Sequence, residues 1–505
     1  LLKIISWVAA LQRNAPRNDA FCANFRHSHA EHGNAQRLAW ERVITKTSIF
    51  KYERYMSTLF ILETLSQTLL HLGILPSTSR IGVAYSGGLD SHVLLHALAQ
   101  LRERHAAIQL HAIHVNHGLS SYAAAWEAHC QAVCLQLAIP LEIGRIDPQV
   151  YGRKANLEEV ARDCRYHIFA DLLLEGACLL TAHHQDDQAE TVLLRLLRGA
   201  GPTGVSAMSW KRSLGAGVVA RPFLEVSRRD LEAYARDAQL SWVEDESNAV
   251  TKMDRNYLRH AVLPLLKTRW PTAAASLSRV AQHAQEATQL LAEMAEADYA
   301  QVQGTVSGTL SVSSLQKYSL PRQKNILRFW LQDLGFALPG AKKMQTLLHC
   351  LRAKGDAMPC VSWEGVEVRR FRDDLYGMSP VLPHDPRAVI PWDMQAPLLI
   401  EHVGWIWASD EKPVREAKRG LIYLASTARV SIGFRRGGEM LHPAGRIGSH
   451  PLKKLYQEWA VPPWMRDRIP LLYVEEELAM VVGHAVAEQY AHASSEQKGY
   501  WVCLG

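Results

Sequence analysis

Ile81-Gly82-Val83-Ala84-Tyr85-Ser86-Gly87-Gly88-Leu89-Asp90-Ser91 is the stretch on which the reading of the fold turns. Its first five residues are a short apolar run ending in a glycine-serine turn, the pattern of a buried strand. Val93, Leu94, Leu95, Ala97, Leu98 and Leu101 then recur at helical spacing. The alternation continues downstream: 108–115, 141–146 and 178–182 read as strands, and 122–137, 156–174 and 185–198 as helices. Strands alternating with helices of this length define an α/β protein, a parallel twisted sheet with helices on both faces, Rossmann-like in plan. Ligands in such sheets bind outside the carboxyl ends of the strands. The two most charged motifs, at 86–91 and 183–191, each follow a strand and so belong to one edge.

Gly87 and Gly88 let the backbone turn sharply and approach a ligand closely. The helix that begins near Asp90 directs free N–H groups and the positive end of its dipole at the loop. Ser86, Gly87, Gly88, Leu89, Asp90 and Ser91 thus form an anion cradle suited to the phosphates of ATP. A Walker A loop would carry a lysine, and this loop carries an aspartate instead. A carboxylate beside phosphates is repulsive unless a cation lies between them, so Asp90 points to bridging Mg2+ and to chemistry at the α-phosphate. The plain alternative is a strand–turn–helix junction whose glycines serve packing. Both serines and a second acidic motif at the same edge favour the nucleotide.

That second motif is His183-His184-Gln185-Asp186-Asp187-Gln188-Ala189-Glu190-Thr191. Asp186 and Glu190 are four apart, so one helical face presents both carboxylates. With Asp90 across the cleft, they are expected to hold Mg2+ on the phosphates. The alternative is a solvated acidic helix start, which the helix dipole favours in any case. Adjacent histidines do not face one ligand, and no Cys/His spacing supports zinc. His183 and His184 are therefore expected to bond phosphate or shape the turn. His117, at a strand end, is placed equally well to shape its loop or to meet the nucleotide. Arg162 and Arg165, three apart on one helix, share a face suited to phosphate or carboxylate.

The bulk numbers exclude other classes. The chain has 505 residues, a length that suggests two to four domains, with 48% apolar and 21% charged residues, as in an ordinary globular protein. No run reaches the roughly 18 to 20 apolar residues of a membrane helix. The eight cysteines form no C-x-x-C pair, which argues for a reducing, cytoplasmic compartment. A net charge of +6 permits a nucleic-acid partner. No methionine precedes Met56, and residues 1–55 show no clean periodicity, so they are expected to be an upstream extension. The catalytic domain is expected over 56–270, a helical linker and substrate-binding domain over 271–385, and a basic domain over 398–505.

Residues 86–91 resemble the PP-loop of the N-type ATP pyrophosphatases, and 183–191 resemble the HHxDDxxET motif of the tRNA(Ile)-lysidine synthetases. Asn116-His117-Gly118-Leu119, Ala161-Arg162-Asp163-Cys164-Arg165-Tyr166, Arg221-Pro222-Phe223-Leu224, Asp245-Glu246-Ser247-Asn248 and Arg255-Asn256-Tyr257-Leu258-Arg259-His260 extend the likeness. It implies an adenine nucleotide α-hydrolase-like fold with smaller C-terminal α/β and mixed domains. It also implies a reaction that changes codon reading from AUG to AUA. The O2 of the wobble cytidine of tRNA(Ile), anticodon CAU, attacks the α-phosphate of ATP. Free L-lysine then displaces AMP at C2. Catalytic roles are implied for Asp90, Arg162, Arg165, Asp186, Asp187 and Glu190, with Asp186 or Asp187 taking the amine proton or orienting the amine. A homodimer is an admissible assembly.

The C-terminal residues Arg435, Arg436, Arg446, Lys453 and Lys454, interleaved with Phe434 and Tyr456, are expected to contact the tRNA backbone, with the aromatics stacking. A PP-loop tRNA thiolase is a weaker alternative, because it would need relay or cluster cysteines. A non-catalytic RNA-binding protein is weaker too, because the acidic residues are intact.

Overall fold

The computed structural model describes residues 46–75, 80–244 and 253–504, apart from 106, 119, 148, 150–156, 354–356, 413–417, 426 and 494–496. Most of the expected extension, Leu119 and the motif Asp245-Glu246-Ser247-Asn248 therefore lie outside the described residues. Helix α1, Lys46–His71, crosses the boundary expected at 55/56. The chain divides into two compact units between Leu290 and Leu291.

The first unit is built on a six-stranded sheet of order β3-β2-β1-β4-β6-β5. Its strands are β1 (Arg80–Ala84), β2 (Gln109–Asn116), β3 (Leu141–Arg145), β4 (Cys178–Leu180), β5 (Lys211–Leu214) and β6 (Gly217–Ala220). The pairs β1–β2, β2–β3, β1–β4 and β4–β6 are parallel. The β5–β6 hairpin is antiparallel and was not foreseen, because Gly215-Ala216 and two four-residue strands give too short a pattern to read. Helices α2 (Leu89–Arg104), α3 (Ala123–Gln136), α4 (Leu157–Leu172) and α5 (Gln185–Leu197) match the sequence reading to within a few residues. The strand order reverses between β1 and β4, so the crevice of an α/β sheet opens beyond their carboxyl ends. The loop at 85–88 and the turn at 181–184 both lie there.

Two cores hold this sheet. Ile81, Val83, Val93, Leu94, Leu98, Leu110, Leu180 and Phe223 belong to one, while Ile113, Phe169, Leu173, Leu179 and Val219 form the other. Each fully buried aliphatic side chain contributes about 1.5–3 kcal/mol. Helix α6 (Arg228–Asp237), capped by Ser227 Oγ accepting from the Asp230 N–H, packs on α1 and α2. Next come α7 (Asp254–Tyr257), a π turn at Leu258–Val262 and α8 (Leu263–Arg269). Ala189 of α5, Leu263 of α8 and Ala274 form a small buried contact that seats α5 against this segment. Helix α9, Ala273–Tyr299, carries the chain into the second unit.

The second unit opens with a four-stranded antiparallel sheet, β7 (Leu310–Ser311), β10 (Asp374–Met378), β9 (Val366–Phe371) and β8 (Cys360–Trp363). Helices α10 (Leu320–Asp333) and α11 (Ala341–Arg352) bury Trp330, Leu331, Leu347 and Leu351 with Val361 and Val368. Beyond residue 388 the chain forms sheets of five and four strands, again antiparallel, around Trp392, Ile406, Ile432, Leu472 and Val502. Trp330 is fully buried and its indole N–H donates to the Gly308 carbonyl at 2.9 Å. We expect Trp330→Ala to cost about 3–5 kcal/mol, read as a lower denaturant midpoint for this unit.

Candidate active site

The phosphate loop is tied by its own serines. Ser91 Oγ accepts from the Ser86 N–H at 3.2 Å, lies 3.0 Å from Ser86 Oγ and donates to the Gly88 carbonyl at 3.0 Å. Gly87 has φ +82°, and a Cβ there would stand 3.0 Å from both Cys130 Sγ and Val243 Cγ2. Its carbonyl accepts from the Val243 N–H, which pins the loop to the chain after α6. Gly88 is the N-cap of α2 and offers no side-chain cap, so the first N–H groups of α2 stay available to an anion.

Across the crevice, α5 presents the acidic motif. His184 is its N-cap, and its N–H donates to Asp187 Oδ2 at 3.1 Å. The His184 ring is buried, with Nε2 3.4 Å from Asp187 Oδ2 and 3.7 Å from Asp90 Oδ2. Burial pulls its pKa down, but Asp187 and Asp90 outweigh this and leave it above the ordinary value. His183 differs: burial pushes it down to about 3, and its Nδ1 lies 2.9 Å from Thr181 Oγ1. His184 thus shapes the turn as expected of one of the pair.

Four carboxylates and four cations meet here. Asp187 Oδ1 accepts from Arg255 at 2.9 Å and Arg259 at 2.8 Å. Glu190, only 1% exposed, accepts from Arg255 Nε at 2.8 Å and Arg259 Nε at 2.6 Å. Asp186 is bonded by Lys267 and by the Arg228 backbone N–H. Asp90 Oδ2 accepts from Arg228 Nη1 at 2.6 Å. Burial acts to raise the Asp186 and Asp187 carboxyls. Lys267 for Asp186, and His184 with Arg255 for Asp187, outweigh it and hold both below the ordinary aspartate value. Both carboxylates are therefore held ionised, able to accept a hydrogen bond or a proton from an amine.

The three carboxylates expected to hold Mg2+, Asp90, Asp186 and Glu190, do not face one point in this structure. Among the described residues no three His, Cys, Asp or Glu side chains converge on a metal site. Asp186 and Glu190 face cations instead, because α7, the π turn and α8 bring Arg255, Arg259 and Lys267 onto the acidic face of α5. Asp90 still fits the ion: its Oδ1 is buried without a hydrogen-bond partner. Mg2+ on a nucleotide takes one or two carboxylates and fills its remaining positions with phosphate and water.

Arg162 and Arg165 do not converge on one partner. Arg165 donates to His117 Nε2 at 3.0–3.2 Å, whereas Arg162 lies over the Tyr166 ring. Tyr166 also receives Arg212 over its face and Arg221 at its hydroxyl. Sequence reasoning missed Arg228 and Lys267, which stand alone in their segments. It quoted Arg255 and Arg259 without a role, although their spacing of four was a signal for one helical face.

In the second unit, Arg435 pairs with Asp467, Arg446 with Glu458, and Arg436 donates to the Arg387 carbonyl. Lys453 and Lys454 are exposed on α12 (Leu452–Glu458). The stacking expected of Phe434 and Tyr456 is corrected, for both are buried, 3% and 0% exposed, and serve cores.

The chain is similar to known proteins along most of its length. Residues 61–266 match the model of a PP-loop domain, 310–376 a TilS substrate binding domain, and 430–503 a TilS substrate C-terminal domain. The tRNA(Ile)-lysidine synthase of Coxiella burnetii is 42% identical over 428 residues, 84% of this chain and 93% of that protein. The chain belongs to the tRNA(Ile)-lysidine synthase family. The Legionella pneumophila (strain Lens) synthase is 43% identical over 81% of this chain and 92% of its own. The Pseudomonas aeruginosa synthase is 43% identical over 79% and 88%. In this lysidine synthase family member the matched PP-loop region holds both motifs of the crevice.

Arg255→Met with Arg259→Met would leave the buried Glu190 carboxylate uncompensated. We expect a loss of about 3–5 kcal/mol in urea unfolding at neutral pH, partly restored by adding Glu190→Gln.

Proposed function

We propose that this enzyme is a carbon–nitrogen ligase that joins free L-lysine to C2 of the wobble cytidine of tRNA(Ile) bearing a CAU anticodon. The observation that supports this most is the meeting, at one sheet edge, of a lysine-free phosphate loop with the acidic start of α5. The loop N–H groups and the start of α2 hold the phosphates of ATP. Mg2+ at Asp90, when bound, screens the carboxylate from the phosphates and stabilises charge on the departing pyrophosphate.

In the first step cytosine O2 bonds to the α-phosphorus as the bond to the β-phosphate oxygen breaks, releasing pyrophosphate. In the second the lysine ε-amine bonds to C2, the C2–O bond breaks, AMP leaves, and the proton released from the nitrogen passes by way of the adjacent Asp186 or Asp187 carboxylate to water. Asp186 and Asp187, kept ionised by their cations, orient the amine as hydrogen-bond acceptors. Arg165 and His117, bonded to each other beyond the carboxyl end of β2, and Arg162 offer positive charge to a nearby anion. Arg435, Arg436, Arg446, Lys453 and Lys454 contact the tRNA backbone. The proposed setting is the cytoplasm; among the described residues no helix is long and apolar enough to cross a membrane.

Digestion and mass analysis of tRNA after incubation with ATP and lysine tests the reaction: the wobble cytidine should gain one lysine less one water. An unmodified cytidine would overturn it. With pre-adenylated tRNA, Asp186→Asn and Asp187→Asn should each slow lysine incorporation by 10-fold or more, on the order of one charge-assisted hydrogen bond. Unchanged rates in both would remove their proposed role. Lys453→Glu with Lys454→Glu should weaken tRNA binding and make the salt dependence shallower by about one to two charges. Equal binding across a salt series would exclude that contact.

A further inference from the structure

Arg228 holds a position that the phosphate-loop reading leaves unexplained. It is the first residue of α6, and its backbone N–H donates to Asp186 Oδ2 at 3.1 Å, so its main chain is anchored at the crevice. Its guanidinium reaches back to Asp90, with Nη1 2.6 Å from Oδ2, while Nε bonds Glu232 Oε1 at 3.1 Å. The side chain is 40% exposed, whereas Asp90 Oδ1 is buried without a partner. One oxygen of Asp90 is thus neutralised by a half-exposed cation and the other is unsatisfied.

A guanidinium and a divalent cation cannot both neutralise one carboxylate without repelling each other. The unpartnered Oδ1 marks where metal would bind, and the exposed Arg228 side chain is the partner able to yield. A guanidinium released there lies beside the phosphate loop, and its planar fork suits phosphate oxygens.

We propose that Arg228 is a transferable counter-ion. It occupies Asp90 in the nucleotide-free enzyme and passes to the polyphosphate when the metal–nucleotide complex arrives. Arg228 would then prevent free divalent ions from settling on Asp90 and add positive charge to the phosphates once ATP is bound. The inference rests on the phosphate-loop reading of the site and not on the identity of the amine or RNA substrate.

Two opposite binding changes test it. Mn2+ affinity of the nucleotide-free protein, read by electron paramagnetic resonance, should rise several-fold or more in Arg228→Ala because Asp90 is freed. Affinity for Mg·ATP, read by calorimetry without tRNA or lysine, should fall about 10- to 100-fold, the scale of a charge-assisted hydrogen bond. Arg228→Lys, which keeps the charge, should show a smaller change of the same sign in both. Thermal melting of each variant checks the fold. Unchanged Mn2+ affinity in folded Arg228→Ala, or a loss of both affinities, would overturn the proposal. Neither assay involves lysidine formation, so a failed ligase assay and a failed Arg228 assay are separable results.

Discussion

The grip of Arg255 and Arg259 on Asp187 and Glu190 is the interaction on which the rest of the site depends. Glu190 is almost wholly removed from water, where an unpaired charge is costly. The two arginines approach from the chain across the π turn at Leu258–Val262, whose wider helical turn lies at the contact itself. Asp187 uses one oxygen for this grip and the other to cap the start of α5 through the His184 N–H. The orientation of α5, and with it Asp186 and the histidines, therefore hangs on a charge contact supported by the small apolar seat of Ala189 on Leu263. Buried ion pairs of this kind add little net stability over apolar isosteres, but removing one partner is costly. Their consequence here is position.

The same contact settles the charge of the crevice. Asp90, Asp186, Asp187 and Glu190 are matched by Arg228, Lys267, Arg255 and Arg259, four against four. Four bare carboxylates at a phosphate site would repel ATP. With the charges matched, the free N–H groups of α2 and the loop dominate the field felt by an incoming phosphate. Of these four carboxylates Asp90 alone retains a buried oxygen without a hydrogen-bond partner.

In the second unit the basic residues and the aromatics separate by burial. Lys453 and Lys454 lie on the open side of α12, while Leu452, Leu455 and Tyr456 of the same helix face its core. A helix of seven residues with both classes adjacent in sequence reads as an interleaved basic-aromatic patch until its rotation is known. Phe434 follows the same logic: it comes directly after the strand Val430–Gly433, is buried in the core and packs against His384.

The sequence by itself determined the alternation of strands and helices through residue 198, the phosphate loop and the placement of both charged motifs at one sheet edge. These are local properties, because apolar periodicity, glycine freedom and strand–helix order each act over a few residues. It also carried the family likeness. Which oxygen of which carboxylate is free was decided only by tertiary structure. Arg228, Lys267, Arg255 and Arg259 lie 40 or more residues from their carboxylate partners on α5, and Arg228 lies 138 from Asp90. No spacing rule joins residues so distant. Asp186 and Glu190 show the limit: helical periodicity tells that two carboxylates share a face, but not which cations the fold packs against it.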